Sequence, residues 1–243
     1  MNRIMMIEHM NSAKIYYESE LVDKDKTELQ EEIRKLRRDL SQLKATIEHP
    51  EYDRENKILP EYETLCRTRE HLEMAKKAYS ELGGVDLETI SDKYAHIFRE
   101  RLPFLQKIRF TISRGFLDHS YAVYVGRNDR VKSMGGNTCQ TYLPLGKRHE
   151  YLFDDIRTRD ELNDYLDVIH IEEWNRHYDL RRYGWMALDG DYWEIGFFYN
   201  NGSSPYYITG SNSYPYNFEQ FLWLFGLDLR NRSIISLESR TEE

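Results

Sequence analysis

His170, Glu173 and His177 stand at offsets of three and four, a spacing that places side chains on one face of a helix. Imidazole and carboxylate are sound zinc ligands, and three such groups with a water make the open kind of site that hydrolyses substrates. The local run Val168-Ile169-His170-Ile171 offers a competing assignment, with His170 on a different element and both histidines as ordinary solvated or partly buried side chains. Spacing nominates no fourth ligand and no supporting carboxylate. The reading adopted is no metal and no other cofactor, with His170, Glu173 and His177 kept as the alternative site of a metal-dependent hydrolase.

Other chemistries find less. Asp154-Asp155, Glu172-Glu173 and Asp189 with Asp191 are each explained by a solvated face or a turn, whereas acid–base catalysis needs environments that drive two pKa values apart. A Walker loop, a dinucleotide fingerprint and a Gly-x-Ser-x-Gly elbow are all missing from the sequence. Gly210-Ser211-Asn212-Ser213 lacks the downstream lysine of a phosphate cradle and reads as a connection between a strand and a helix. No catalytic residue is assigned. Basic pairs occur at Arg37-Arg38, Lys76-Lys77, Lys147-Arg148 and Arg181-Arg182, the last among aromatic residues. Arg181 and Arg182 are therefore the candidates for a direct single-stranded nucleic-acid binder, because stacking rings and positive charge are the recipe for holding single strands.

The aromatic surplus is the strongest functional signal. Tyr183, Trp185, Tyr192, Phe198, Tyr206, Tyr214 and Tyr216 crowd one stretch of chain together with Trp193, Phe197, Tyr199 and Tyr207. Successive strand residues face opposite sides, so these rings cannot all enter one core. With Trp193, Phe197 or Tyr199, and Tyr207 inward, the alternation sends Tyr192, Phe198 and Tyr206 outward. Outward tyrosine and tryptophan suit a protein interface, and the seven residues named first are the candidate partner-binding set.

These residues sit on a chain of 243 residues with 34 basic and 42 acidic side chains, a formal net charge of -8. No apolar run approaches the roughly 20 residues that cross a bilayer, and charge interrupts the first residues too early for a secretion signal. A soluble, cytoplasmic protein with no membrane partner is expected. Cys66 and Cys139 lie in regions of different character and are read as free thiols. The acidic balance argues against a protein that coats nucleic acid wholesale.

Composition changes at Lys107. The first 107 residues hold 41 charged residues, 8 aromatics and two glycines, and the remaining 136 hold 25 aromatics and 11 glycines. Charged, glycine-poor sequence suits solvated helices; aromatic, glycine-rich sequence suits strands joined by turns. The predicted fold class is α+β: an N-terminal antiparallel helical hairpin of coiled-coil type over residues 1–107, then a small antiparallel β-sheet domain with packed helices over 108–230, then a polar tail at 231–243.

Leu29, Ile33, Leu36, Leu40, Leu43 and Ile47 follow steps of four and three without a break, one seam of a helix over about 25–49. Asp25 or Thr27 can cap it, and His49-Pro50 ends it. Tyr62, Leu65, Leu72, Ala75, Tyr79 and Leu82 line a second helix over about 58–83, with Arg69 at an otherwise apolar slot and Gly83-Gly84 as its stop. Folded back on each other, the two seams meet and Arg37 comes near Glu73. The competing arrangement is a homodimer through a parallel coiled coil, to which Glu32 with Arg37 and Asp39 with Lys44 lend the right offset. A third helix, about 86–105, would bury Leu87, Ile90, Tyr94, Ile97, Phe98 and Leu102.

In the second region, strands are expected at 109–113, 121–126, 192–199 and 206–209. Thr158 with Glu161 forms a capping box before Leu162, Tyr165, Leu166 and Ile169. A further helical piece would hold Trp174 and Tyr178, and Asn217 would cap a last helix at 218–225.

The segments Asp189-Gly190-Asp191-Tyr192-Trp193 and Gly210-Ser211-Asn212-Ser213-Tyr214-Pro215-Tyr216-Asn217-Phe218 carry a pattern DG-x-x-W … GSN-x-YP-x-NF. Over residues 108–228 the chain resembles a widespread group of uncharacterised bacterial proteins, many of them in phages and mobile elements. That group attaches no catalytic residues to the pattern. The resemblance implies a bacterial, phage or mobile-element setting and, by analogy, an inhibitor of host defence of the anti-CRISPR kind. The expected protein is a non-catalytic interaction protein whose partner is another protein or a protein–nucleic-acid complex.

Overall fold

A computed structural model of the protein describes residues 13–52, 60–114, 117–126, 128–135, 141–143, 156–186, 190–225, 227–228 and 235–236. The chain divides into two compact units, Met1–Glu88 and Thr89–Glu243. Helices and a mixed sheet make it an α+β protein.

In the first unit, helix α1 (Lys26–Ile47) starts where a capping box dictates. The Asp25 carboxylate accepts the Thr27 and Glu28 amides at 2.7 and 2.9 Å, and the Glu28 carboxylate accepts the Asp25 amide at 2.8 Å. Its Leu29, Ile33, Leu36, Leu40 and Ile47 are buried, each contributing about 1.5–3 kcal/mol by leaving water. Helix α2 (Pro60–Glu81) packs against α1 and buries Leu65, Thr68, Leu72, Ala75, Ala78 and Tyr79. Thr68 fills the slot expected of Arg69; its hydroxyl donates to the Thr64 carbonyl at 2.7 Å, which lets a small polar side chain be buried at low cost. Leu82 lies past the end of α2 and is exposed. Lys26 donates to the Gly83 carbonyl at 2.8 Å, and Arg37 makes a two-pronged pair with Asp86 at 3.0 and 2.8 Å.

Before α1, the Tyr16 hydroxyl donates to Glu32 at 2.9 Å, where Lys24 also binds at 2.8 Å, and the Tyr16 ring stacks on His71 at 3.8 Å. Burial pushes the His71 imidazole below its ordinary pKa and nearby Arg67 adds to the shift, while Glu32 acts the other way.

The second unit is built on strands β1 (Leu105–Arg114), β2 (Leu117–Val125), β3 (Val131–Gly135), β4 (Thr141–Leu143), β5 (His177–Asp179), β6 (Asp191–Tyr199) and β7 (Tyr206–Ser211), ordered β4-β3-β2-β1-β6-β7-β5. The purely antiparallel sheet expected is corrected, because β5 pairs parallel with β7 while every other neighbour is antiparallel. Parallel neighbours need a crossover, and the chain from Leu180 through β6 supplies it. Tyr178 thus belongs to a strand and not to a helix, and only Ile171–Glu173 makes a single 3-10 turn before it. Leu227–Asp228 (β8) pairs with Ile235–Ser236 (β9).

Helices α3 (Ile90–Arg101) and α4 (Arg159–Val168) each open on a capping box, Thr89 with Asp92 and Thr158 with Glu161. Of the stripe expected on α3, Phe98 and Leu102 are buried while Ile90, Tyr94 and Ile97 are exposed. The reason is that α3 meets the sheet through its last turns, where the Phe98 ring lies 5.0 Å from Phe197 and 5.3 Å from Tyr206 and Arg101 lies 5.8 Å from the Tyr199 ring. Helix α5 (Phe218–Trp223) lays Phe218 and Phe221 over Phe110 of the same sheet face.

The glycine–asparagine pattern forms one clasp. Trp193 is fully buried, 4.7 Å from the Phe218 ring, and its indole N–H donates to the Ser213 carbonyl at 3.0 Å. Gly210 pairs with Trp193 across β6 and β7, where an added Cβ would lie 2.3 Å from the indole. The Asn212 side chain accepts the Asp191 amide at 2.8 Å, and the Tyr214 hydroxyl donates to Asp191 at 3.0 Å. Asn217 makes no side-chain cap on α5. Buried instead, its Oδ1 accepts the Trp174 indole N–H at 2.8 Å and its Nδ2 donates to the Ile169 carbonyl.

Candidate functional site

Chemistry collects at three places in the second unit. The first follows α4, whose end at Val168 leaves His170 in a left-handed conformation (φ 49°, ψ 48°) ahead of the Ile171–Glu173 turn. That tight turn brings His170 Nδ1 to 3.4 Å from Glu172 Oε1. Glu172 is buried and receives Arg99 of α3 at 2.6 Å, while Glu173 accepts the Tyr216 hydroxyl at 3.3 Å. His170, Glu172 and Glu173 each offer a ligand atom within 4.8 Å of the others. His177 is not of this group: it opens β5, exposed, with one ring nitrogen 2.9 Å from Thr209 Oγ1 and the other 3.8 Å from Asp179. The helical face that would unite His170, Glu173 and His177 is interrupted at Val168. Glu172, grouped with Glu173 as solvated by its sequence, is drawn inside because buried Ile171 and Trp174 flank the turn.

The second place is the turn Leu180–Tyr183. The Asp179 carboxylate accepts the Arg181 amide at 2.8 Å and its guanidinium at 2.8 and 2.5 Å, so Arg181 holds the Asp179 carboxyl down to about 2. Arg182 lies over the rings of Tyr178 and Tyr183 at 5.6 and 4.9 Å. Both arginines are engaged within their own turn.

The third place is the sheet face turned away from α3 and α5. Strand register fixes its members, since residues paired across an antiparallel ladder share a side. Lys132, Tyr124, Lys107 and Phe198 form one row across β3, β2, β1 and β6. Lys107 Nζ sits 5.0 Å from the Tyr124 ring and 5.7 Å from Phe198, while the Arg109 guanidinium lies 5.5 Å from Phe198 and pairs with Glu194 at 2.8 Å. Phe198 meets Tyr207 edge-on at 6.0 Å. Tyr192, 48% exposed, lies on the same side through its place in β6.

Of the expected partner-binding rings, Tyr192 and Trp185 are exposed, and Tyr183, Phe198 and Tyr214 are half-buried. Tyr206 and Tyr216 are buried, which corrects the outward placement of Tyr206. The parity of β7 is set by Ile208, fully buried opposite Ile195, which carries Tyr206 inward and Tyr207 outward at 40% exposure. Lys107, Arg109, Tyr124 and Lys132 were not singled out by sequence, because only the pairing of distant strands sets them beside Phe198.

The fold and the face together define a two-unit α+β chain with a helix-covered sheet surface and an opposite surface of mixed rings and cations. Comparison with protein-family models, with curated proteins and with solved structures gave no match. Among the described residues, no helix is long and apolar enough to cross a membrane.

Proposed function

We propose that this is a non-catalytic binding protein that docks a macromolecule on the outer face of its sheet. The observation that carries the reading is the division of aromatic residues: Trp193, Phe197 and Tyr206 fill the core, while Tyr192, Phe198 and Tyr207 sit on the other face of the same strands. Rings left at a surface are costly in water and suit contact with a partner. The first unit is an antiparallel coiled-coil hairpin that serves as a spacer, a reading supported by the reach of Lys26 at the start of α1 to Gly83 beyond the end of α2. The partner is another protein or a protein–nucleic-acid complex, and the resemblance of residues 108–228 to mobile-element proteins favours a host defence or nucleic-acid-processing machine. The test is retention of partners from a bacterial lysate by wild type and by a Tyr192→Ala, Tyr207→Ala double variant. The reading expects a retained component that the variant loses, and identical retention by both would overturn it.

A second reading, a metal-dependent hydrolase, is favoured by the convergence of His170, Glu172 and Glu173. It competes with Arg99, which already balances the Glu172 carboxylate at 2.6 Å. Elemental analysis separates the two readings: one zinc per chain, lost in His170→Ala, selects the hydrolase.

A further inference from the structure

Resting on the docking role of the outer sheet face, we infer that the face takes the single-stranded nucleic acid of a protein–nucleic-acid partner, held at the end where β1 begins and β6 finishes. Three cations, Lys107, Arg109 and Lys132, stand there among the rings of Tyr124, Phe198 and Tyr207, with Glu194 as the carboxylate paired to Arg109. A chain of net charge -8 thus concentrates positive charge on one patch. A purely apolar protein partner would desolvate Lys107 among its ring neighbours, and the Arg109–Glu194 pair with it, at a cost. An acidic protein surface would satisfy the cations but not the ring faces. A single strand satisfies both, since its phosphates meet the cations and its bases present flat faces to the rings.

The geometry is that of half-buried rings with cations set over them, a platform that a strand joins by sharing the ring faces with Lys107 and Arg109. Adjacent strands lie about 4.8 Å apart, so Tyr124 and Phe198, separated by β1, stand roughly 10 Å apart with Lys107 between them. That spacing accommodates a stretch of about two to three bases, the number that aromatic side chains on an open sheet stack in known recognition modules. Lys107 lies within 6 Å of both ring centres, where a phosphate bridging two stacked bases would pass. Specificity of this kind is for the strand, not the sequence, because every base carries a π face.

The test is fluorescence anisotropy of a labelled 12-mer of deoxythymidine with the full chain at about 50 and 200 mM salt. Binding is expected to weaken with salt at a log–log slope of about -1.4 to -2, from two to three phosphate contacts at about -0.7 each. Phe198→Ala is expected to weaken binding by about 5- to 150-fold, the range for losing one stacked base. Lys107→Gln keeps the rings, guards against misfolding of the Phe198 variant, and should flatten the slope by about 0.7. Double-stranded DNA of the same length should bind more weakly than the single strand. No binding of the 12-mer at about 50 mM salt overturns the inference, as does binding that neither substitution changes. A partner retained from lysate through Tyr192 and Tyr207 that survives nuclease treatment also overturns it while leaving the docking face intact; loss of both readouts removes the docking face as well.

Discussion

Asn217 separates two accounts of the same residue. As a helix cap it would tolerate Asn217→Asp or Asn217→Ser, both good caps, and Asn217→Ala would cost about 1 kcal/mol. As the buried clip seen here, it satisfies the Trp174 indole N–H through Oδ1 and the Ile169 carbonyl through Nδ2. Alanine leaves both groups orphaned in the interior, at about 1–3 kcal/mol each, so a loss of about 2–5 kcal/mol is expected. Asn217→Asp keeps the acceptor for Trp174 but sets a carboxylate against the Ile169 carbonyl, and should cost at least as much at pH 7. The introduced carboxyl would have its pKa raised in the folded state, because only its protonated form can donate to that carbonyl. Its folded form therefore binds the proton more tightly, and the variant's deficit should shrink as pH falls toward the ordinary carboxylate range near 4. All four tryptophans belong to the second unit, so urea unfolding followed by tryptophan fluorescence reads this unit alone. For a unit of this size 1 kcal/mol is roughly 2–4 °C, and Asn217→Ala should lower its melting temperature by roughly 5–15 °C. Wild-type stability in both Asn217→Asp and Asn217→Ser would refute the clip and restore the cap.

Gly210→Ala would place a Cβ 2.3 Å from the Trp193 indole, and overpacking against so confined a ring should cost about 1–3 kcal/mol; an unchanged urea midpoint would show that the clasp yields freely. His71 titrates below its ordinary value, chiefly because it is buried, so its contribution to the first unit is present above about pH 6.5 and lost as pH falls below it. Circular dichroism melts at pH 7.5 and 6.0 should show that loss in wild type and a smaller one in His71→Phe, which keeps the ring against Tyr16; equal losses would count against it. Leu36→Ala opens a cavity on the buried side of α1 and should cost about 2–5 kcal/mol, read as lost helical signal on urea titration; a cost under 1 kcal/mol would mean the seam is loosely packed.

What the chain wrote locally was legible. The seam of Leu29, Ile33, Leu36, Leu40 and Ile47 and the boxes at Asp25 and Thr158 depend on residues within a turn or two of each other, and they fold as their spacing dictates. The aromatic surplus likewise announced strands with two populated faces. Less was legible wherever distant segments choose each other. The composition shift at Lys107 lies well inside the second compact unit, because Phe98 buries a charged helix against Phe197 and Tyr206. Tyr206 and Tyr207 are interchangeable to any local rule, and only the pairing of Ile208 with Ile195 decides which one enters the core. Glu172 reads as solvated until Arg99, 73 residues away, meets it. The row from Lys132 to Phe198 is the fullest instance: four strands contribute one residue each, and a one-residue slip in any ladder would send that strand's member to the other face. Sequence alone thus determined the elements with strong local signals, the capped helices and the long strands β1, β2, β6 and β7, since those are set by near neighbours along the chain; the tertiary structure alone decided the short strand β5, which exists only by pairing with β7, and which side chains share a surface, since strand register is fixed by burial summed over the whole sheet.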